Sequence, residues 1–310
     1  PGGTADRAVV RIRTRMRKLD LTWTPNRPGL GLDIDSGEVV FVDVTDRILV
    51  AGMSGAGKSV ALRVLMAAAW ALPNTVLVII DLKVEGALWS HTARVESEPE
   101  GIVPLVQELV AEMRERETIM RRDALDKWEP TPERPRIVVV VDEGAELISE
   151  TDEDCISGLR SIARRARSAE IVLWWSTQKP TVTGKGPGLD SAISAQLTSA
   201  VCLAVASPQE ARNVLGEDAT GKGWHAEDLQ KGGWAFVRVQ GADRAPNPVR
   251  VFFMTKEDVR ALPVREAWHR DMTEQSEKID IITLALRLSE GLNGVSTAQL
   301  VTHTGLADTE

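Results

Sequence analysis

Gly52-Met53-Ser54-Gly55-Ala56-Gly57-Lys58-Ser59 satisfies the pattern G-x-x-x-x-G-K-[ST] in full. No other stretch limits the fold as tightly, because this one works only between a strand and a helix. Its glycines let successive backbone N–H groups converge on phosphate oxygens, and the positive end of the following helix adds to the same field. The flanks fit. Arg47-Ile48-Leu49-Val50-Ala51 reads as a short buried strand, and a helical pattern runs from Lys58 to about Leu72, where Pro73 stops it. In such a loop Gly52, Ser54, Gly55, Ala56 and Gly57 cradle phosphates, Lys58 reaches the β- and γ-phosphates, and the Ser59 hydroxyl ligates Mg²⁺.

Strands and helices alternate from about residue 46 to 255. Strands are expected at Val76–Ile80, Ile137–Val141, Ile171–Trp175, Ala200–Val205, Trp234–Val239 and Pro248–Met254, with helices at about Ile102–Asp123 and Glu153–Ser168. Val138-Val139-Val140-Val141 is apolar on both faces, as in a sheet covered by helices on either side, so the fold class is α/β with a mostly parallel sheet. That strand ends in Asp142-Glu143, where ligands bind in such sheets. There the first acid can hold Mg²⁺ and the second can polarise an attacking water. The acid pair, with no N-K-x-D guanine-reading motif in the chain, points to ATP and to its hydrolysis. Ser176-Thr177-Gln178 ends the neighbouring strand; Gln178 is either a γ-phosphate contact or an ordinary loop residue. Asp81-Leu82-Lys83 ends another strand, as a structural ion pair or a further element of the site.

Composition excludes several alternatives. With 43% apolar and 26% charged residues, the 310-residue chain is a globular protein with ample length for a core. Cys155 and Cys202 have neither disulfide-framework nor zinc-ligand spacing and are expected to be reduced thiols. No apolar run approaches the ~18 residues of a membrane span. The chain opens on Pro1 rather than Met, which leaves open a membrane anchor outside it. A net charge of −8 argues against a molecule coated in positive potential, but the sum hides opposite segments. Arg7–Lys18 holds six basic residues and no acid, and Arg160–Lys185 six against one, whereas Asp142–Asp154 holds seven acids and Asp271–Asp280 four.

Beyond the phosphate loop, the sequence resembles the FtsK/SpoIIIE-type DNA-pumping ATPases, and among them the TraB-type conjugative translocases of actinobacterial plasmids. The resemblance covers about Pro28 to Met254. It is carried by Pro28-Gly29-Leu30-Gly31-Leu32-Asp33-Ile34, Ile80-Asp81-Leu82-Lys83, Glu112-Met113-Arg114-Glu115-Arg116, Arg165-Ala166-Arg167-Ser168-Ala169-Glu170-Ile171, Ser176-Thr177-Gln178-Lys179-Pro180, Arg212-Asn213-Val214-Leu215-Gly216 and Gly232-Gly233-Trp234-Ala235. It implies a P-loop, RecA-like motor domain, with Lys58 and Ser59 as the Walker A pair, Asp142 and Glu143 as the Walker B pair, and Gln178 as γ-phosphate sensor. It further implies ATP and Mg²⁺ as cofactors and a hexameric ring threading double-stranded DNA, on the cytoplasmic side of a membrane. Any membrane association would run through an anchor not in this chain. On this reading Arg116 is a candidate arginine finger for the neighbouring subunit's ATP, against the alternative of a solvated helix face. Lys179 and Lys185, in the Gly/Pro-rich loop Thr181–Gly188 and just before it, are candidates for the DNA backbone, against a plain surface loop.

The expected organisation is a segment 1–45 leading into the motor, the motor at 46–265, and a linker with a small helical element at 266–310. In the last, Ser296-Thr297-Ala298-Gln299 has capping-box spacing after an apolar helix Ile281–Leu288, which reads as part of a winged helix or as a packing hairpin. The function expected is an ATP-driven duplex-DNA translocase for conjugative transfer or chromosome segregation. The alternatives are a related ATPase powering polypeptide secretion and a weakly hydrolysing scaffold of a membrane channel.

Overall fold

The computed structural model describes residues 19–27, 29–83, 85–183, 186–239 and 246–270. Strands β1 (Gly31–Asp33), β2 (Val39–Val40) and β3 (Ile48–Ala51) lead to the phosphate loop and helix α1 (Lys58–Trp70). Then come β4 (Thr75–Ile80), β5 (Arg94–Glu96), α2 (Pro99–Arg122), β6 (Arg136–Val141), α3 (Gly144–Glu150), α4 (Glu153–Arg165) and β7 (Ile171–Thr177). The remainder is α5 (Ser191–Ser194), β8 (Ser199–Leu203), α6 (Pro208–Leu215), β9 (Trp234–Val239), β10 (Val249–Val251) and α7 (Lys256–Arg260).

All ten strands join one sheet in the order β2-β1-β10-β9-β8-β3-β7-β6-β4-β5. From β8 to β5 the pairings are parallel. The continuous apolar runs explain why both faces are covered. Val139, Val141, Leu173 and Trp175 pack with α2 and α4 on one side; Val138, Val140 and Trp174 pack with α1 on the other. Each such side chain, fully buried, contributes about 1.5–3 kcal/mol of hydrophobic stabilisation. The register Val141↔Trp175 between β6 and β7 sets the ends of these two strands side by side, and β3 lies on the far side of β7.

The sheet is mostly parallel, as expected, and its other end is antiparallel. Strands occur at Trp234–Val239 and Val249–Val251, but both pairings of β9 are antiparallel, as are those of β1 with β10 and β2. β2 follows β1, and β10 follows β9, through connections too short for a crossover helix, which only antiparallel pairing allows. β1 and β2 were not expected at all. They bring Leu30, Leu32 and Val40 into the core, so the boundary expected at residue 46 falls inside a continuous sheet.

Among the described residues no helix is long and apolar enough to cross a membrane. Both cysteines are buried and free. The basic segment before residue 19, Lys185, and the helical element expected after residue 270 lie outside the described residues.

Candidate active site

The phosphate loop is shaped by backbone that few residues tolerate. Gly55 and Gly57 have φ of 77° and 104°, in the region that favours glycine. A Cβ on Gly57 would also stand 2.8 Å from the backbone nitrogen of Gly233. That approach is specific: the Gly233 N–H donates to the Ala56 carbonyl at 2.8 Å, which fastens the turn before β9 onto the loop. Lys231, on the same turn, reaches to 4.0 Å of the Cβ position at Gly55.

Lys58 and Ser59 open α1, the side chain of Lys58 being almost fully buried. Its ammonium donates to the Asp142 carboxylate at 2.7 Å, the Asp142 carbonyl at 2.8 Å and the Ser176 hydroxyl at 3.0 Å. The three N–H donors of the ammonium thus meet three acceptors. Glu143 lies alongside, its Oε2 3.9 Å from the same ammonium. Glu143 in turn accepts from the Thr177 hydroxyl at 2.9 Å and from the Gln178 backbone N–H at 3.1 and 3.2 Å. Lys58, Asp142, Glu143 and Gln178 are therefore brought together, at the carboxyl ends of β6 and β7 and the start of α1. Ser59 and Asp142 line one small cleft. A hydroxyl and a carboxylate are the hard oxygen donors that Mg²⁺ takes, so the residues present fit that ion.

Asp81 and Lys83 complete the cluster. Asp81 is buried and accepts the backbone N–H groups of Lys83, at 2.8 Å, and Gly86. Burial raises its pKa; the two backbone donors pull it back, and nearby Asp142 adds to the rise. The turn that Asp81 holds points Lys83 at Glu146, 2.8 Å away, and at Glu143, 3.6 Å away. Burial alone would lower the Lys83 ammonium, but the two glutamates outweigh it and its pKa is raised.

Arg116 is not where a finger must be. It is fully buried. Its guanidinium donates to Glu112 at 2.7 Å, to the Ala169 carbonyl at 3.0 Å and to the Pro135 carbonyl at 2.9 Å, and lies 5.0 Å from the centre of the Trp128 ring. An arm so engaged cannot leave without abandoning each of these partners in the interior. Arg116 ties α2 to the loop before β6 and the turn before β7. The signal for this was present in sequence. Ile102, Leu105, Leu109, Glu112, Met113 and Met120 form the buried stripe of α2 at helical spacing, and Arg116 falls on it.

The candidate DNA contacts separate. Lys179 is exposed, immediately after the site. The basic run before it is partly neutralised within the chain: Arg160 pairs with Asp190 at 2.7 Å and Arg165 with Glu117 at 2.6 Å. Thr177 and Ser176, which sequence reading treated only as context for Gln178, turn out to hold Glu143 and Lys58.

Residues 10–133 match the FtsK/SpoIIIE family. Over 289 residues, 87% of this chain and 46% of the relative, the sequence is 42% identical to protein Tra of Streptomyces lividans. It is 29% identical over 243 residues to the DNA translocase FtsK of Staphylococcus aureus, covering 69% of this chain and 30% of that protein. The chain thus spans less than half the length of these relatives. Among solved structures, the pCW3 conjugation coupling protein TcpA, in its monomer form with ATPγS, superposes with a TM-score of 0.64 at 21% identity, over 78% of this chain and 72% of that one. The cytoplasmic domain of the Thermomonospora curvata type VII secretion ATPase EccC gives 0.56 at 22% identity, over 80% and 32%. At these identities the structures speak for the fold alone.

Proposed function

The chain carries an FtsK/SpoIIIE-type ATPase domain, and on that premise we propose that it is an ATP-driven translocase of double-stranded DNA, working as a hexameric ring in conjugative transfer. The observation that carries the reading is the convergence of Lys58 at the start of α1 with Asp142 and Glu143 at the carboxyl end of β6, in a chain 42% identical to protein Tra. The resemblance of the sequence to the TraB-type conjugative translocases favours conjugation over chromosome segregation.

The chemistry follows from the donors present. ATP entering the loop offers Lys58 phosphate oxygens in place of the Asp142 carboxylate, so the lysine passes from one anion to another without being desolvated alone. Ser59 and the freed Asp142 are the residues that would hold Mg²⁺, which when bound neutralises charge on the β- and γ-phosphates. Glu143 takes a proton from the attacking water as its oxygen bonds to the γ-phosphorus. The bond to the β,γ-bridging oxygen breaks, ADP leaves with that electron pair, and the proton passes on with the phosphate or to solvent. Gln178, beside Glu143, senses the γ-phosphate.

Lys179 supports DNA contact by position, on a surface segment joined directly to the catalytic strand. The test is the ATPase rate with and without linear duplex DNA across a salt series. Turnover is expected to rise with duplex and the stimulation to fade as salt increases, because phosphate contacts release counterions. Robust turnover that ignores duplex at every salt concentration counts against DNA as the partner and favours a polypeptide substrate.

A further inference from the structure

The phosphate loop has two flanks, because β3, which leads into it, lies between β7 and β8 in the sheet. On the β7 side stand Asp142 and Glu143 at the end of β6, with the Lys58 ammonium drawn to Asp142 at 2.7 Å. That is the side for the γ-phosphate. The other flank is formed by the end of β8 and the turn into β9. The Ala204 carbonyl, just past β8, accepts the Met53 N–H at 2.8 Å, and the Ala56 carbonyl accepts the Gly233 N–H at 2.8 Å. The loop is thus braced from this side both near its start and near its end.

The turn Lys231-Gly232-Gly233 is itself held in place. Gly232 and Gly233 both have φ of 88°, in the region that favours glycine. The Gly232 carbonyl accepts from the Arg250 guanidinium at 3.0 Å, and that guanidinium lies 4.9 Å from the centre of the Trp234 ring. The Gly233 carbonyl accepts the Val251 N–H at 2.9 Å. These bonds fix where Lys231 starts, and its stem passes 4.0 Å from the Cβ position at Gly55. Lys58 and Lys83 spend their charge on carboxylates. Lys231 is exposed, and among the described residues nothing pairs with its ammonium. A free cation beside a loop whose backbone N–H groups gather anions adds to the same positive field.

We propose that Lys231 is a nucleotide-binding residue that contacts the phosphates common to ADP and ATP, the α-phosphate first. With its γ end toward Glu143, a bound nucleotide presents its other phosphates to the rest of the loop, and Lys231 meets them from the β8–β9 flank. This role deepens the ATPase reading, rests on the loop being an ATP site, and is independent of DNA. Because the contact is the same before and after the γ-phosphate leaves, it strengthens binding without accelerating the chemical step.

The test compares wild type with Lys231→Met, which keeps the stem and removes the charge, and Lys231→Arg, which restores it. Affinities for fluorescent ADP and fluorescent ATPγS are measured at one salt concentration, together with kcat and KM for ATP and the nucleotide-free melting temperature. Lys231→Met is expected to weaken both nucleotides by about tenfold, the scale of one hydrogen bond to a charged group. KM rises while kcat at saturating ATP and the melting temperature stay unchanged, and Lys231→Arg stays close to wild type. Unchanged ADP affinity in Lys231→Met, where Lys58→Ala loses it, overturns the role of Lys231 and leaves the ATP site standing. A loss confined to ATPγS overturns it as well, since the contact would then be to the γ-phosphate. A lowered melting temperature without rescue by Lys231→Arg makes Lys231 structural and overturns it equally. Wild-type protein that binds neither nucleotide defeats the ATP reading itself, and this role with it.

Discussion

Glu143→Gln is expected to bind ATP and to hydrolyse it about 10²–10⁴-fold more slowly, the range for a positioned general base. The substitution is nearly isosteric, and the amide oxygen can still accept from the Thr177 hydroxyl and the Gln178 N–H. What it loses is basicity. The amide nitrogen would face Lys83 and Lys58 with a donor, a local cost that leaves α1 and the phosphate loop in place. Nucleotide affinity, read by fluorescent ATPγS binding, should therefore change little while kcat collapses. Lys58→Ala separates differently. It removes the phosphate contact and leaves the Asp142 carboxylate without its nearest cation, so binding and turnover fall together. An equal loss of affinity in both variants would contradict the separate roles given to the two residues.

Arg116→Met is expected to destabilise the fold by about 3 kcal/mol, at the low end for breaking a buried ion pair because Arg134 still reaches Glu112 at 2.8 Å. For a domain of this size that lowers the melting temperature by about 6–12 °C. The pH dependence carries the same signature. Burial works to raise the Glu112 pKa, but Arg116 and Arg134 outweigh it and hold it below the ordinary carboxylate range. Its contribution is therefore complete above the pKa of an unfolded glutamate and is lost as pH falls through the lowered folded value. In the variant, burial has less opposition, so the stability gap from wild type should narrow on acidification. A finger acting across a subunit boundary would show the opposite: an unchanged melting temperature, turnover down by about 10³–10⁵, and rescue on mixing with Glu143→Gln subunits.

These two residues mark where sequence was sufficient and where it was not. The Gly52–Ser59 loop and the Ile137–Glu143 strand end are contiguous, and each carries its own physical reason, so their elements were legible to within a residue or two. Which strands lie side by side is a long-range property. Thr177 holds Glu143 only because β6 and β7 are neighbours in the register Val141↔Trp175, and nothing in Ser176-Thr177-Gln178 alone announces that bond. The antiparallel end of the sheet was hidden for a related reason: β1 and β2 are short, and β10, the strand β1 pairs with on its other side, lies more than two hundred residues away. Arg116 is a different case. Its place on the apolar stripe of α2 was readable, but Glu-Met-Arg-Glu-Arg drew attention to charge over period. The arginines around it do face solvent, so only the spacing distinguishes it.

The charge balance is also clearer. The acids at the end of β6 and the start of α3 and α4 are largely committed to Lys58, Lys83, Arg160 and helix capping, and part of the basic stretch is committed to acids in turn. Lys179 remains exposed beside the site.

The central claim, that hydrolysis at this site moves duplex DNA, is tested most directly by triplex displacement. A labelled third strand is annealed to linear duplex, and its release is followed with ATP, with ATPγS, and with the Glu143→Gln protein. The account predicts release by the wild-type protein with ATP only. Steady ATP hydrolysis in the presence of duplex, with the third strand left in place, would contradict it.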